Sequence, residues 1–309
     1  MQENPSEYGR LPTDNHEEIL RDIIEDSELG RYSSHEKPKA VIIAGQPGAG
    51  KSKLVGDVVH EMRNDCLVID TDELRAYHPQ YEQFIRSNPK TAAEKVHHDA
   101  SMWTKELRSE AMGKNINLVI DGTLGNPRNA RALVDELATK GYEVEIKALA
   151  VRKEESMQGI HLRYEKGVQH LRDTGRTDAS LRWVDKEVHD KAYHNMPESV
   201  GFIEKEKLAD RVEVYGRKNE EVVLLYRKDL KNENVAGISA KEVIEAERQR
   251  PMTKDERAIF EEKWRDVRDM RLERSADAAE MKEVDRMMKL NGVDATKDRG
   301  VELDLSKSR

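Results

Sequence analysis

An apolar run that leads directly into a glycine-rich loop is the most informative part of the sequence. Residues 40–52 read Ala-Val-Ile-Ile-Ala-Gly-Gln-Pro-Gly-Ala-Gly-Lys-Ser. The first five residues are apolar and partly β-branched, which is typical of a strand buried on both faces of a parallel sheet. Residues 53–62, after the loop, have apolar positions at helical spacing. The order of strand, glycine-rich loop and helix predicts a phosphate-binding unit in an α/β fold.

The loop fits the Walker A pattern, Gly-x-x-x-x-Gly-Lys-Ser. Glycines permit backbone angles that turn successive N–H groups toward phosphate oxygens, and the following helix adds its positive N-terminal end. Lys51 is expected to reach the β- and γ-phosphates, and Ser52 is expected to hold Mg²⁺. The sequence has no Asn-Lys-x-Asp motif for guanine, so ATP is the expected nucleotide. The predicted ATP-binding residues are Gly45, Gln46, Pro47, Gly48, Ala49, Gly50, Lys51 and Ser52.

Further short apolar runs alternate with helical patterns along the chain. Strands are predicted at 67–69, 118–120 and 144–151, and helices at 91–112, 127–140, 154–171 and 181–194. This alternation predicts crossover units and a doubly wound α/β domain, in which helices flank a parallel sheet. A hairpin formed by 211–215 and 222–226 is expected to close the domain, and 173–180 is expected to be a polar loop.

The sequence predicts three parts. Residues 1–36 form a polar N-terminal segment with one weakly amphipathic helix, and residues 37–235 form the nucleotide-binding domain. Residues 236–309 form a charged helical C-terminal extension. Within the extension, a capping box at 253–256 precedes an apolar stripe at 260–270. We expect this stripe to pack on the domain.

Composition narrows the classes of function. The net charge of −8 over 309 residues argues against sequence-independent nucleic-acid binding, which draws on many Lys and Arg side chains. No stretch approaches the roughly 18 consecutive apolar residues of a membrane span, and the N-terminus has neither a basic leader nor an apolar run. We therefore expect a cytoplasmic protein that binds neither nucleic acid nor membranes.

Three acidic residues follow predicted strands, at the edge where open α/β sheets bind ligands. Asp70 and Asp72 come just after the second strand, and Asp121 ends the third. A carboxylate at this edge can accept the proton of a hydroxyl that attacks the γ-phosphate. The alternative is a solvated strand end or a helix cap. Asp121 leaves two assignments open, because an apolar run followed by Asp also describes a Walker B metal ligand.

These motifs, in this order and at these intervals, resemble the zeta toxins, the kinase components of bacterial toxin–antitoxin pairs. The resemblance covers roughly residues 38–230. The motifs that carry it are the loop at 45–52, Ile69-Asp70-Thr71-Asp72 followed by His78-Pro79, Leu118-Val119-Ile120-Asp121-Gly122-Thr123, Arg163-Tyr164-Glu165 and Gly175-Arg176-Thr177. The resemblance implies that residues 37–235 form a P-loop kinase domain.

The reaction that the resemblance implies is phosphorylation of UDP-N-acetylglucosamine by ATP with Mg²⁺. The acceptor is the 3′-hydroxyl of the amino sugar, and blocking it starves peptidoglycan synthesis. By this similarity Lys51 orients the phosphates and Asp72 is the base. Arg163 and Arg176 stabilise charge at the γ-phosphate.

The resemblance also implies how the acceptor and a partner protein bind. Asp121 and Thr123 would hold the nucleotide sugar, and Glu106, on the helix before the third strand, would be a further substrate contact. The family often has Glu where Asp121 stands, which shortens the reach of this side chain by one methylene. A small helical antitoxin would bind by covering the nucleotide cleft.

Two other functions stay open from the sequence. One is a P-loop kinase of another small hydroxyl compound or of a polynucleotide end, because the loop is common to many kinases. The other is a nucleotide-switched interaction module with the helical C-terminus as its effector surface. Such a module would bind ATP without consuming it.

Overall fold

The computed structural model describes residues 10–177, 181–231 and 237–295. Its centre is a six-stranded sheet in the order β2-β3-β1-β4-β5-β6. The strands are β1 Lys39–Ala44, β2 Leu67–Asp70, β3 Leu118–Gly122, β4 Glu143–Leu149, β5 Arg211–Lys218 and β6 Glu221–Asp229. The first five strands are parallel, and β6 pairs antiparallel with β5. The predicted α/β fold is therefore confirmed.

Twelve α-helices accompany the sheet within the described ranges. They are α1 Thr13–Asp26, α2 Ser52–Glu61, α3 Thr71–Leu74, α4 Tyr81–Ser87, α5 Pro89–Lys95, α6 His97–Gly113, α7 Pro127–Thr139, α8 Lys153–Thr174, α9 Lys186–Lys205, α10 Ala240–Gln249, α11 Lys254–Glu273 and α12 Ala278–Leu290. No helix in these ranges combines the length and the apolar character needed to span a bilayer.

Strand β1 is buried on both faces. Ala40, Ile42 and Ala44 pack into a large cluster that includes residues of α1, α6, α7, α9 and α10. Val41 and Ile43 point to the other face, where they pack against α2. Helices on both faces explain why this strand is continuously apolar rather than alternating.

The parallel strands end at one edge of the sheet, and their register decides which residues meet there. Ala44 at the end of β1 pairs with Gly122 of β3, and Asp70 at the end of β2 pairs with Asp121. The glycine-rich loop and the acidic residues therefore lie at the same edge, as open α/β sheets require for ligand binding.

Two predicted helices differ from the observed ones. The helix predicted at 91–112 is two helices, α5 and α6, that meet at Val96. Because Ala93, Val96 and Ala100 are all buried, the apolar spacing continues across the break and conceals it.

The helix predicted at 181–194 begins later and ends later than expected, since α9 runs through Pro197 to Lys205. A proline normally ends a helix because it lacks the N–H group. Here Met196, Val200 and Ile203 are fully buried in the core, and this packing holds the helix beyond the proline.

Of the loop predicted at 173–180, the first two residues complete α8, and Gly175 caps that helix with φ +68°. The last three residues of that loop lie outside the described ranges, as does the domain boundary predicted between residues 235 and 236.

Helix α1, in the segment predicted to be a polar tail, packs on the core. Ile23 is fully buried, and the indole N–H of Trp103 in α6 donates to the backbone oxygen of His16 at 3.1 Å. The imidazole of His16 also stacks on the Trp103 ring, with centroids 5.2 Å apart. The boundary at residue 36 stays a prediction.

The C-terminal helices pack on α8. Phe260, Trp264 and Val267 of α11 are buried together with Val284 and Met288 of α12. Trp264 also lies against the His161 ring of α8, with centroids 5.4 Å apart. The apolar stripe of the extension is therefore covered within the chain.

A buried charge network joins the same three helices. Arg271 of α11 is fully buried, and its Nε donates to Oε1 of Glu165 in α8 at 2.7 Å. Its Nη1 donates to the backbone oxygen of Glu280 in α12 at 2.6 Å, and its Nη2 lies 3.0 Å from Nδ1 of His161. Burial and the neighbouring Arg271 charge lower the pKa of His161 to about 3. His161 is therefore neutral and can accept a hydrogen bond from Arg271.

We predict that Arg271→Met lowers the free energy of unfolding by about 3 kcal/mol, because removing one partner from a buried ion pair leaves charge without compensation. The matched control is Arg268→Met in the same helix, whose exposed ion pair with Asp285 should be worth less than about 1 kcal/mol. Urea unfolding of both variants measures the difference. If both variants lost the same free energy of unfolding, the buried network would not contribute more to stability than the exposed ion pair.

Candidate active site

The glycine-rich loop joins β1 to α2 and packs directly on α8. Gly48 has φ +77° and Gly50 has φ +81°, backbone angles that residues with a side chain rarely adopt. A Cβ atom at Gly48 would lie 2.0 Å from the backbone oxygen of Ser156, and one at Gly159 would lie 2.3 Å from the backbone oxygen of Gly48. Helix α8 therefore fixes the conformation of the loop, and this contact requires glycine on both sides.

Gln46 anchors the loop from its buried side. Its Nε2 donates to the backbone oxygen of Val151 at 2.8 Å and to Oγ of Ser156 at 3.1 Å, and its Oε1 accepts from Nη2 of Arg248 at 2.8 Å. Arg248, in α10, also donates to the backbone oxygen of Tyr193 at 2.7 Å. Burial lowers the pKa of Arg248 to about 10. The C-terminal extension thus contacts the phosphate loop, which the sequence did not reveal.

Lys51 lies between the loop and the third strand. Its Nζ is 3.2 Å from the backbone oxygen of Gly45 and 3.4 Å from Oδ1 of Asp121. Burial raises the pKa of Asp121, and the nearby charge of Lys51 lowers it. The negative charges of Asp70 and Asp72 raise it further, and the resulting pKa of Asp121 is above the usual range. Asp121 therefore lies beside the cation expected to hold the phosphates.

The structure gives different roles to the two acidic residues after β2. Asp70 accepts a hydrogen bond from the backbone N–H of Asp72 at 2.8 Å and caps α3. Asp72 lies in the first turn of α3. The helix-cap alternative therefore describes Asp70, while the Asp72 carboxylate belongs to a charged cluster.

Asp72 is surrounded by cations. Its Oδ1 is 2.7 Å from Nη1 of Arg75, and its Oδ2 is 2.7 Å from Nη1 of Arg182. Burial raises the pKa of Asp72, but the charges of Arg75, Arg182, Arg163 and Lys51 lower it more, so that its pKa lies below the usual range. Asp72 is therefore ionised at neutral pH.

The three arginines of this cluster carry buried donors. Burial and the charge of Arg182 lower the pKa of Arg163 to about 10. Four buried guanidinium nitrogens of this cluster have no hydrogen-bond partner within the described residues, namely Nε of Arg75, Nε and Nη2 of Arg163 and Nε of Arg182. Buried donors without partners are costly. The cluster is thus suited to receive a ligand with several acceptor oxygens, such as a phosphoryl group.

The structure brings together Lys51, Asp72 and Arg163, but it leaves Arg176 apart from them. Arg176 is exposed just beyond the end of α8, where its backbone N–H donates to Oγ1 of Thr174 at 3.1 Å. Arg182 stands beside Asp72 and was missed by the sequence reasoning. The sequence offers only a weak indication of this role, because Arg182 belongs to no motif. It follows Leu181, which is buried in a cluster with Tyr164 of α8.

The remaining predicted acceptor contacts have partners of their own. Oε2 of Glu106 lies 2.9 Å from Nε2 of His16, whose Nδ1 is 3.1 Å from Oδ1 of Asp99. Glu106 therefore helps to hold α1 on α6. Oγ1 of Thr123 accepts a hydrogen bond from the backbone N–H of Gly125 at 3.2 Å. The predicted roles of Glu106 and Thr123 in substrate binding stay predictions.

The donors at this edge fit a magnesium ion. Within the described ranges, no group of three or more His, Cys, Asp and Glu side chains is placed to hold a metal by itself. Mg²⁺ needs less, because it keeps several waters and binds one or two protein oxygens together with substrate phosphates. The Ser52 hydroxyl at the start of α2 and the Asp121 carboxylate beside Lys51 are oxygen donors of this kind.

The family model described as zeta toxin matches residues 24–231. The chain belongs to the zeta toxin family. Toxin zeta of Enterococcus hirae is 29% identical over 237 residues, which are 77% of this chain and 78% of that protein. Toxin PezT of Streptococcus pneumoniae serotype 4 is 27% identical over 188 residues, which are 61% of this chain and 72% of that protein. The match to the family ends before α10, α11 and α12 begin.

Solved structures share the fold. A chain of the PezAT chromosomal toxin–antitoxin system of Streptococcus pneumoniae aligns with a TM-score of 0.68 at 21% identity, over 84% of this zeta toxin homologue and 98% of that chain. A chain of the AvrRxo1-ORF1:-ORF2 complex with ATP aligns with a TM-score of 0.53 at 12% identity, over 90% of this chain and 84% of that chain. At these identities the similarity establishes the fold alone.

We predict that Arg182→Met raises the pKa of Asp72, because it removes a cation 2.7 Å from the carboxylate. A pH titration of the Asp72 carboxyl carbon-13 shift measures this change directly, without an assay of activity. Arg86→Met is the control, since that arginine pairs with Glu82 on the exposed face of α4. An unchanged Asp72 pKa in the Arg182 variant would show that this ion pair does not persist in solution.

Proposed function

We propose that this zeta toxin homologue is an ATP-dependent kinase of a nucleotide sugar and acts as a growth-inhibiting toxin. The proposed reaction transfers the γ-phosphate of ATP to the 3′-hydroxyl of the amino sugar in UDP-N-acetylglucosamine or a related compound. The observation that supports it most is the ionised Asp72 among arginines whose buried donors have no partner in the described structure. The identity of the acceptor rests on the family resemblance.

Donor binding follows from the loop. Its backbone N–H groups and Lys51 hold the β- and γ-phosphates, and the N-terminus of α2 adds a favourable dipole. Mg²⁺, when bound through Ser52 and the phosphates, neutralises part of their charge. The ATP-containing complex among the structures of similar fold supports the choice of nucleotide.

Asp72 is proposed to orient the acceptor hydroxyl and to take its proton. A carboxylate offers about four lone-pair positions, and the ion pairs with Arg75 and Arg182 occupy two of them. A carboxylate with a lowered pKa is a weak base. Phosphoryl transfer nevertheless has a loose transition state, in which positioning of the nucleophile matters more than early proton removal.

The arginines are proposed to act on the phosphoryl group in transit. As the bond to the ADP oxygen breaks and the bond to the sugar oxygen forms, negative charge is spread over the phosphoryl oxygens. Some N–H groups of Arg163 and Arg182 have no partner among the residues that the structure describes, and these are proposed to bind the phosphoryl oxygens. For Arg176 we keep the role that the family resemblance implies, at the γ-phosphate. Asp121 and Thr123 are proposed to hold the sugar nucleotide.

A protein partner is proposed as well. The similar structures come from the PezAT toxin–antitoxin system and from a complex of two proteins, AvrRxo1-ORF1 and -ORF2. They support an antitoxin partner. That this partner is helical and covers the nucleotide cleft is proposed from the family resemblance. ATP and nucleotide sugars are cytoplasmic metabolites, so we place the proposed reaction in the cytoplasm.

We predict that the purified protein, given ATP, Mg²⁺ and a panel of nucleotide sugars, adds one phosphate to a UDP-N-acetyl sugar. Asp72→Asn should lower the turnover by about 10²- to 10⁴-fold, the range for loss of a general base, while ATP binding persists. Lys51→Ala should also abolish transfer. Asp57→Asn, an identical change at an exposed position of α2, is the matched control and should be silent. Mass spectrometry identifies the product and the position of the phosphate.

Other outcomes of this assay decide between the alternatives. Transfer to another hydroxyl compound or to a polynucleotide end, with none to any nucleotide sugar, would replace the proposed acceptor. Binding of ATP without consumption would favour a nucleotide-switched interaction module. Full turnover by Asp72→Asn would remove Asp72 as the base.

We also predict that induced expression of the wild-type chain arrests bacterial growth, whereas Lys51→Ala at equal protein level does not. The lysine variant should lose phosphate binding but keep the fold, since Lys51 is at the surface of the cleft and not in the apolar core. Growth curves with immunoblots of both proteins test this. Equal toxicity of both would show that growth arrest does not depend on the nucleotide site.

A further inference from the structure

A series of hydrogen-bonded side chains lies behind the phosphate loop. Gln46 of the loop, Ser156 of α8 and His189 of α9 are all fully buried. Nε2 of Gln46 lies 3.1 Å from Oγ of Ser156, and this Oγ lies 2.8 Å from Nε2 of His189. Nδ1 of His189 lies 3.0 Å from Oδ1 of the partly exposed Asp190. We call these four residues the His189 network.

The network contains a serine, a histidine and an aspartate, as nucleophilic triads do, but its burial excludes that use. A nucleophilic serine needs an exposed oxygen that can approach a substrate. Ser156 is fully buried, and its Oγ accepts a hydrogen bond from the amide of Gln46. The hydroxyl of Ser156 therefore connects two side chains and does not attack a substrate.

The Asp190 end of the network fixes the protonation of the histidine. Burial raises the pKa of Asp190, but hydrogen bonds from two lysines and from His189 lower it more, so that the carboxylate is ionised and can only accept. Nδ1 of His189 must therefore carry a proton. Burial lowers the pKa of His189 more than the pairing with Asp190 raises it. The ring is thus neutral, and its Nε2 is an acceptor.

The loop end of the network is fixed by Arg248, which has only donors. Its Nη2 donates to Oε1 of Gln46 at 2.8 Å. This contact turns the NH₂ group of Gln46 toward the backbone oxygen of Val151, at 2.8 Å, and toward Oγ of Ser156. The orientation of the Gln46 amide is therefore determined by its surroundings.

The serine hydroxyl is the group whose direction depends on the histidine. If it donates to Nε2 of His189, a lone pair of Oγ stays available for the amide of Gln46. The backbone oxygens of Arg152 and Lys153, each 3.1 Å from Oγ, are its other acceptors. A hydroxyl that turned to them would leave Nε2 of His189 buried without a donor, which is costly. Every hydrogen bond from Arg248 to Asp190 therefore has one favoured direction.

The network acts on the part of the loop whose shape phosphate binding requires. Ser156 contacts the loop twice, at Gln46 through its side chain and at Gly48 through its backbone oxygen, which would lie 2.0 Å from a Cβ at that glycine. The turn at 46–48 is thus held at both ends. A loop that is held in its binding shape before the ligand arrives does not lose affinity to its own ordering.

We propose that His189 is a positioning residue of the phosphate loop. As a neutral acceptor it orients the hydroxyl of Ser156, which holds the amide of Gln46 and with it the turn that receives phosphate. The inference rests on the proposed function in one respect, that the loop binds the phosphates of a nucleotide.

The first test determines the tautomer of His189 in the wild-type protein. Nitrogen-15 chemical shifts distinguish a protonated ring nitrogen from an unprotonated one. At neutral pH we expect a proton on Nδ1 and none on Nε2. A proton on Nε2 would overturn the inference, because that nitrogen could not then accept a hydrogen bond from Ser156.

The second test removes the acceptor and then restores it. His189→Leu leaves the hydroxyl of Ser156 without this partner, whereas His189→Gln supplies an amide oxygen in its place. His194→Leu, the same change at an exposed position of α9, is the matched control. Calorimetry measures the affinity of each folded protein for ATP and for inorganic tripolyphosphate, and thermal melting measures stability separately.

We expect His189→Leu to weaken the binding of both ligands by about tenfold, the size of one lost hydrogen bond. His189→Gln should recover most of this loss, and His194→Leu should bind both ligands as the wild type does. The amide resonances of Gly48 and Gly50 should shift in His189→Leu and stay in place in His194→Leu.

The outcomes separate this inference from the proposed function. Wild-type affinity in a folded His189→Leu protein would overturn the inference, and so would equal losses in the leucine and glutamine variants. If His189→Leu does not fold, Ser156→Ala is the deciding variant, and it should weaken both ligands by a similar factor. A wild-type protein that binds neither ligand would contradict the proposed function. The resonances of Gly48 and Gly50 then decide the inference, and unchanged resonances would overturn it.

Discussion

The close contact between the phosphate loop and α8 is the constraint on which the rest of the site depends. Backbone meets backbone at Gly48 and Gly159, so that neither position has room for a side chain. The loop and the helix that carries Arg163 therefore behave as one unit. Gln46 extends this unit to α10 through Arg248, and the buried Arg271 network extends it to α11 and α12. The distance between the donor phosphates and the arginine that would meet them is thus set by packing rather than by the ligand.

Charge is arranged around that unit in a way that favours an anionic ligand. Asp72 offsets part of the positive charge of Arg75, Arg163 and Arg182, which would otherwise repel one another in a half-buried site. The hydrogen bonding is incomplete, because several N–H atoms of these three guanidinium groups lack partners in the described structure. An incoming phosphoryl group would supply the missing acceptors.

Local patterns made the sheet and the loop predictable, since a buried parallel strand is continuously apolar and a Walker A loop needs its glycines. Lys51, Asp72 and Arg163 were found because each belongs to such a motif. Arg182 and Arg248 were not, because their roles arise from contacts with residues far away in the sequence. The break at Val96 and the continuation of α9 through Pro197 were missed for a related reason. No local pattern marks the break, and the proline locally predicts a helix end, whereas burial of the neighbouring residues in the core determines both structures.

Because these long-range contacts involve residues late in the chain, the site can be completed only near the end of synthesis. Gln46 is held by residue 248, and Glu165 of α8 is held by residues 271 and 274. A ribosome has made the loop, Asp72 and Arg163 long before it makes these residues. The growing chain therefore contains every proposed catalytic group while it still lacks the helices that fix them. Assembly of the site waits for almost the last part of the described chain.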